Sequence, residues 1–282
     1  SDLTNLHFDE ARQALVDTIM AIRACPSIGM PVWFDFSQLR RIDDIAALIL
    51  AAEIDRSMRI RYGGSPPATV KDARWDPAIE RIFCELGFFK LLRVKNAPRA
   101  SAAGPNDVRH IEYITGLRSA GEDIPILKDR YAALMPHPID IDPALPNEGR
   151  PLYDAVIEAM TNVSNHAYPD GVATHPYLQG RWWIAGSFDP VNQKFTVVFY
   201  DVGVGIPATL TSKHPAAKVA AAMRRLAGGS DGDAGKIKTA MIIGKSQTKE
   251  TYRGKGLRRI RKLAKARARS EERRVGKECL RL

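Results

Sequence analysis

The segment from Glu158 to Gly171, EAMTNVSNHAYPDG, carries several residue types that take part in chemistry. Glu158, Asn162 and His166 follow one another at steps of four, and residues four apart on an α-helix lie nearly above one another. The spacing therefore predicts one polar stripe along a helix. An amide oxygen on such a stripe can ligate a hydrated Mg²⁺ while a carboxylate one turn away orients a water molecule. The alternative interpretation is a helix surface that simply faces solvent.

A second motif, YDVGVGIPATL, begins where a strand-like run ends at Asp201. A carboxylate at the edge of a sheet can accept a hydrogen bond from the exocyclic amine of a base. Gly203 and Gly205 follow it, and residues without side chains allow a flat ring to approach the backbone. Many surface hairpins contain the same pattern, so this motif is not specific by itself.

A third motif, TYRGKGLRRIRK, lies near the end of the chain. Gly254 and Gly256 bracket Lys255 just before a run with helical character. This arrangement presents backbone N–H groups and a cation to phosphate oxygens. It is also unspecific alone, and the order of the three motifs is what makes them informative.

The three motifs resemble those of the GHKL (Bergerat-fold) ATPase superfamily, most closely its anti-sigma-factor serine kinases. AVIEAMTNVSNHAY is similar to the N box, DVGVGIP to the G1 box and RGKGL to the G2 box. The resemblance covers about residues 108–270 and implies an α/β sandwich that binds ATP and Mg²⁺. It implies either ATP hydrolysis or transfer of phosphate to a protein partner, as in serine- and histidine-kinase-like proteins.

The resemblance also implies a role for individual residues. Glu158 would be the general base, Asn162 the Mg²⁺ ligand, and Asp201 the residue that binds the adenine amino group. The other residues expected to bind the nucleotide are Asn165, His166, Gly203, Gly205, Ile206, Arg253, Gly254, Lys255, Gly256 and Leu257. Asn165 and His166 would lie near the phosphates, and the stretch from Thr209 to Thr251 would form a lid that closes over ATP.

The chain departs from the family pattern after the third motif. Arg258 stands where many family members have a third glycine. The following residues show no alternating strand pattern, so we expect the sandwich to lack its last strands. Residues 271–282 resemble a cloning junction, and we expect them to be a non-native tail.

The N-terminal region predicts a second, smaller α/β unit. A helix is expected over residues 8–25, then a strand PVWFDF, then a helix that Asp43 or Asp44 caps. The run PVWFDFSQLRRIDDIAALILAAEIDR, with the later ERIFCELGFFKLL, is similar to the STAS fold of anti-sigma-factor antagonists. The resemblance implies a STAS-like docking module over residues 1–97. An unrelated α/β module is the alternative.

In those antagonists a serine after the aspartate receives phosphate from the partner kinase. Here Asp43 is followed by Asp44, Ile45 and Ala46, which have no hydroxyl group. We therefore expect this domain not to be phosphorylated at that place.

The fold class predicted from these patterns is α/β with two domains, 1–97 and 108–270, joined by a Pro- and Ala-rich linker at residues 98–107. A helix that begins at Asp76 is expected over DPAIERIFCELGFF, followed by a short strand KLLRV. Further strands are expected at RHIEYITG, GRWWIAGSF and KFTVVFYDV, with helices around ILKDRYAALM and over LYDAVIEAMTNVSNHA.

Composition is that of a globular protein, with 282 residues, 45% of them hydrophobic and 26% charged. The longest apolar runs are too short to cross a bilayer, so no membrane partner is expected. The three cysteines are scattered with no CxxC pair, which favours a reduced, cytoplasmic protein.

The net charge of +10 is concentrated at one end of the chain. Between Arg253 and Arg274, eleven Lys and Arg against two Glu give a local charge of +9. A nucleic-acid-binding regulator that uses this segment is therefore the alternative function. This segment contains no recognisable motif for base-sequence recognition and no aromatic residues for base stacking. Nucleic acid is therefore not the expected partner. A nucleotide-binding switch without catalysis is the remaining alternative function. Among partners, a second copy of the chain in a homodimer is left open.

Overall fold

The structure is a computed structural model. It describes residues 2–3, 9–24, 35–62, 75–95, 97–100, 102–117, 125–126, 129–130, 150–172, 174–192, 194–213, 215–224 and 232–243.

The described residues form helices and strands in a mixed order. The helices are α1 (Asp9–Ala24), α2 (Asp44–Tyr62), α3 (Pro77–Glu85), α4 (Phe88–Leu91), α5 (Arg150–Asn162), a π-helical turn (Val163–Ala167), α6 (Gly205–Lys213), α7 (Ala216–Arg224) and α8 (Asp233–Ile243). The strands are β1 (Asp2–Leu3), β2 (Arg41–Ile42), β3 (Arg109–Leu117), β4 (Arg181–Asp189) and β5 (Lys194–Asp201). Among these residues, no helix is long and apolar enough to cross a membrane.

The central element is an antiparallel sheet in the order β3-β4-β5. The strands predicted at RHIEYITG, GRWWIAGSF and KFTVVFYDV are confirmed as β3, β4 and β5. The β4–β5 connection is a tight turn in which the Asp189 carboxylate accepts the backbone N–H groups of Val191 and Asn192, each at 3.0 Å. A short parallel pair, β1 with β2, forms a separate two-stranded sheet.

Side chains of the sheet alternate between two buried faces, as the strand period of two requires. On β4, Trp182 and Ile184 belong to one hydrophobic cluster, whereas Trp183 and Ala185 belong to another. On β3 a β-bulge between Ile111 and Ile114 shifts the register. The extra residue places both isoleucines on the Trp182 face although they are three positions apart.

Helices cover both faces of the sheet and complete a three-layer α/β arrangement. The apolar residues of α2 pack against Trp183 and Tyr200 on one face. Met160 of α5 and Val163 of the π-helical turn pack against Trp182 on the other face. The mixed α/β class is therefore confirmed, and the N-terminal helices share their hydrophobic core with the sheet. The two-domain division at residues 97 and 108 stays a prediction.

Helix starts follow the predicted capping residues. Asp43 Oδ1 accepts the backbone N–H of Ala46 at 2.7 Å, so Asp43 caps α2. Asp76 Oδ1 accepts the N–H of Ala78 at 2.9 Å, with Pro77 in the first turn of α3.

Two sequence predictions in this region are wrong. The helix from Asp76 does not continue through ELGFF, because Gly87 adopts φ 71° and separates α3 from α4. KLLRV is not a strand, since its first two residues end α4 and Arg93 turns the chain at φ 52°. Phe88 and Phe89 are buried among the aromatic rings of this region, so the segment is helical because of tertiary packing.

Other predictions lie partly outside the described residues. Of the strand PVWFDF, only residues 35–36 are described, and they are not in a strand. The helix expected around ILKDRYAALM is helical at residues 125–126 and 129–130, and its remaining residues lie outside the described part.

Candidate functional site

The residues of the predicted polar stripe lie on α5 and on the turn that follows it. Glu158 and Asn162 lie one turn apart on α5, and both are half-buried. Met160, between them in sequence, is buried against the sheet. The packing face of α5 is therefore apolar, as its sequence spacing predicts.

The last step of the stripe is not α-helical. Residues Val163–Ala167 form a π-helical turn, in which hydrogen bonds span five residues instead of four. His166 is therefore displaced from the α-helical position above Asn162, and the prediction of a regular stripe of three side chains is wrong at this step. Asn165 and His166 are both exposed in the turn. Turns of this kind occur frequently at functional sites.

Asp201 ends β5, where it lies opposite Trp182 in the sheet register. Its Oδ1 accepts the backbone N–H of Gly203 at 2.9 Å. Among the described residues, Oδ2 has no hydrogen-bond partner. Burial raises the pKa of this carboxyl, and the hydrogen bond from Gly203 opposes that increase. The side chain therefore offers one acceptor oxygen to a donor from outside the fold.

Gly203 makes the closest backbone approach in this region. A Cβ atom built on it would lie 2.4 Å from the carbonyl oxygen of Ala167, so no larger residue fits without a shift. The next residue, Val204, donates its N–H to the same oxygen at 2.8 Å. We expected this glycine to admit a flat ring, but the group that it admits here is the backbone of the π-helical turn.

Gly205 has a different reason to be glycine. Its φ of 78° is in the left-handed region, and a Cβ there would meet only Pro207 Cδ at an ordinary 3.6 Å. This conformation ends the loop and starts α6. Ile206, in the first turn of α6, is half-buried.

Tyr168 belongs to the first motif and lies close to the second motif, which includes Asp201. It follows the π-helical turn, and its hydroxyl donates to the carbonyl oxygen of Arg181 at 2.9 Å. Its pKa is raised by burial and by the neighbouring Asp201 carboxylate. The structure thus brings the end of the first motif against the second motif.

The remaining predicted site residues are described only in part. Three helices, α6, α7 and α8, occupy part of the predicted lid and share a small core that includes Leu210, Val219 and Ile243. Arg253, Gly254, Lys255, Gly256 and Leu257 lie outside the described residues, as do the basic segment Arg253–Arg274 and residues 271–282.

Two carboxylates on α2 form polar contacts that the sequence did not predict. Glu53 and Asp55 are fully buried. The Tyr200 hydroxyl donates to Glu53 Oε1 at 2.5 Å, and Trp183 Nε1 donates to Asp55 Oδ2 at 3.1 Å. Their only sequence signal is that two acids stand among the apolar residues AAEID. Buried charges need partners; here the sheet supplies hydrogen-bond donors, and Arg23 and Arg59 supply the opposite charges.

His110 on β3 is a second buried polar group. Its side chain is 4% exposed, with Nε2 at 3.0 Å from Asp44 Oδ1 and Nδ1 at 2.8 Å from Glu85 Oε2. Burial opposes protonation, but the hydrogen bonds and charges of the two carboxylates prevail and raise the pKa of His110 to about 9. The Ser187 hydroxyl also donates to Asp44. The imidazolium is therefore a link between the sheet, α2 and α3.

A groove of about 330 Å³ lies between the α3–α4 region and β3. Its lining includes Cys84, Phe89 and Glu112, and none of the predicted site residues. Burial and the neighbouring carboxylates Glu80 and Glu85 raise the pKa of the Cys84 thiol to about 11, which disfavours a nucleophilic thiolate.

In the part of the chain that the structure describes, there is no group of three or more His, Cys, Asp or Glu residues arranged to hold a metal ion. The comparisons with known proteins add no relative: no family model, curated protein or solved structure matches the chain.

Proposed function

We propose that this chain is an ATP-binding regulatory protein of the GHKL type. ATP with Mg²⁺ would be hydrolysed, or its phosphate transferred to a protein partner, and the STAS-like N-terminal region would be the docking module. The observation that carries the proposal is the contact of the loop after Asp201 with the turn that carries Asn165 and His166. Motifs separated by about thirty residues of sequence meet at one end of the sheet.

The properties of Asp201 support a role in binding the adenine base, at what we call the base end of the site. Its Oδ1 is engaged by Gly203, and Oδ2 is an acceptor without a partner among the described residues. The exocyclic amine of adenine is a donor that would fit this oxygen. Asp201 is half-buried, and a carboxylate that has lost part of its hydration gains from such a donor.

The residues of α5 support a role in binding the phosphates and Mg²⁺, at the other end of the site. Glu158 and Asn162 lie one turn apart and half-buried, so both are accessible in part. Mg²⁺ keeps several water ligands and commonly takes only one or two ligands from protein, with phosphate oxygens completing the set. An amide oxygen from Asn162 fits this requirement, and when bound the ion would neutralise phosphate charge. Glu158 would orient the attacking water or hydroxyl group and accept its proton.

Calorimetric titration of ATP, with and without Mg²⁺, tests the proposal. We expect Asp201→Asn to abolish adenine-dependent affinity: the Asn oxygen would accept from Gly203, and its amide would then present a donor to the amine of adenine. Asp170→Asn is the matched control, because it removes the same charge from an exposed turn residue just after Tyr168. Equal ATP affinity in the wild type and Asp201→Asn would contradict the proposal.

A further inference from the structure

Glu53 lies on α2 beneath the sheet, where its side chain has no exposed surface. It accepts the Tyr200 hydroxyl at 2.5 Å, and Arg23 of α1 forms an ion pair with the same carboxylate. Arg23 Nη2 also lies 3.2 Å from the Tyr200 hydroxyl oxygen. The three side chains therefore form a closed ring of polar contacts that joins α1, α2 and the end of β5. The ring satisfies a carboxylate that would otherwise be costly to bury.

The ring lies next to the base end of the candidate site. Tyr200 and Asp201 are consecutive residues of β5, so their side chains lie on opposite faces of the sheet. Tyr200 packs toward α2, whereas the loop after Asp201 contacts Ala167 on the other side. A single peptide group joins Tyr200 and Asp201. A displacement of Tyr200 would therefore move the backbone that carries Asp201.

On the basis of the function proposed above, we propose that Glu53 and Tyr200 are positioning residues of the base site. Through the Tyr200 hydroxyl, Glu53 fixes the last residues of β5 and so the Asp201 carboxylate that would receive the adenine amine. The N-terminal helices are then part of the nucleotide site, because α2 supplies the carboxylate and α1 supplies Arg23, one of its two counter-ions. Docking of a partner on these helices would alter base affinity through the same contacts.

Asp55 offers a matched control on the same helix. It is as fully buried as Glu53 and also contacts the sheet, through Trp183 Nε1 at 3.1 Å. Its ion pair is with Arg59 of α2 itself, at 2.7 Å. Trp183 belongs to β4 and is not adjacent to Asp201 in sequence. It is the cross-strand partner of Tyr200, but loss of the Asp55 charge leaves the hydrogen bond between Glu53 and Tyr200 in place.

The experiment compares Tyr200→Phe, Glu53→Gln and Asp55→Asn with the wild type, all in the full chain. Calorimetry measures the affinities for ATP and GTP. GTP presents a carbonyl oxygen where ATP presents the amine, so a positioned Asp201 prefers ATP. We expect the ATP-over-GTP ratio to fall about fivefold in Tyr200→Phe, in proportion to one lost hydrogen bond. It should also fall in Glu53→Gln, because the amide retains an acceptor but loses the ion pair with Arg23. Asp55→Asn should retain the wild-type ratio. General destabilisation of the fold would lower the affinities for ATP and GTP equally.

Hydrogen exchange supplies a readout that needs no nucleotide. The amides of Gly203 and Val204 report the hydrogen bonds to Asp201 and Ala167. We expect them to exchange about tenfold faster in Tyr200→Phe and Glu53→Gln than in Asp55→Asn. Unchanged exchange and an unchanged nucleotide ratio would overturn the positioning role while leaving the proposed function intact. A wild-type chain that binds neither nucleotide would refute the proposed function, and faster exchange alone would then still show that Glu53 fixes the end of β5.

Discussion

The N–H of Val204 donates to the carbonyl oxygen of Ala167 at 2.8 Å, which ties the loop after β5 to the π-helical turn after α5. Gly203 makes this contact possible, because a Cβ atom there would lie 2.4 Å from the same oxygen. The relationship defines the candidate site more sharply than either motif alone, since it fixes their relative position. It also makes the site sensitive to a single methyl group.

We expect Gly203→Ala to lower the free energy of unfolding by about 2 kcal/mol, the usual cost of forcing an atom into a filled space. It should also remove ATP affinity, because the loop must move away from Ala167. Gly171→Ala is the control: Gly171 has φ 82° but nothing within 4 Å of a new Cβ, so only conformational strain of about 1 kcal/mol applies. Urea denaturation and calorimetry measure both effects. Equal losses in the two variants would contradict the close-packing argument.

Asp201→Asn should change stability and ATP affinity in opposite directions. Burial raises the pKa of Asp201 above its value in the unfolded chain, so its ionised form costs stability at neutral pH, and that cost disappears as the pH falls below the unfolded pKa. Asn is neutral and retains an acceptor for Gly203. We therefore expect a higher free energy of unfolding at pH 7 together with lost ATP affinity. A variant that is less stable than the wild type would show that the carboxylate is a structural group.

Two substitutions on α5 should have different effects. Asn162→Ala should abolish the Mg²⁺-dependent part of ATP affinity, because the metal loses its amide ligand. Glu158→Ala should retain nucleotide affinity but lower phosphate release by about 10²–10⁴-fold, the usual contribution of a positioned general base. Calorimetry and a phosphate-release assay measure these effects, with Asn192→Ala in the β4–β5 turn as the control. Unaltered Mg²⁺ dependence in Asn162→Ala would refute the ligand role.

The His110 contacts predict an alkaline loss of stability. The pKa of His110 is raised to about 9 in the folded chain, above the value of about 6.5 for an unfolded histidine. Its stabilisation is therefore fully present below about pH 6.5 and is lost as the pH rises through 9; it amounts to at most about 3 kcal/mol. Urea denaturation from pH 6 to pH 10 should show this decrease, and His110→Gln should remove it.

An NMR titration of the His110 ring checks the same point without a substitution. A midpoint near pH 9 is expected, whereas a midpoint near pH 6.5 would mean that Asp44 and Glu85 do not stabilise the imidazolium.

The N-terminal region should not accept phosphate from ATP within residues 37–57. Ser57 is 5% exposed on α2, too buried to reach a kinase. Ser37 is half-buried, and its backbone N–H is bonded to Asp35 Oδ1 at 2.8 Å in a local turn. Incubation with labelled ATP and peptide mapping should find no phosphate in this range. Strong labelling of either serine would overturn the docking interpretation.

The sequence alone predicted those elements whose causes are local. The α5 helix, the β4–β5 hairpin and the starts of α2 and α3 depend on side-chain period, turn residues and capping carboxylates within a few positions of one another. Asp43 and Asp76, for example, act on N–H groups two or three residues away. The same local patterns indicated Glu158, Asn162 and Asp201 as candidates.

Tertiary structure decided the features whose causes are distant in sequence. Glu53 and Asp55 look like solvent-facing acids until Tyr200 and Trp183, more than a hundred residues later, bury and bond them. The break at Gly87 depends on where the aromatic side chains of α4 are buried. The tight contact of Gly203 with Ala167 depends on how α5 packs across the sheet. Such contacts join surfaces that only the folded chain brings together, and therefore no period or spacing in the sequence could specify them.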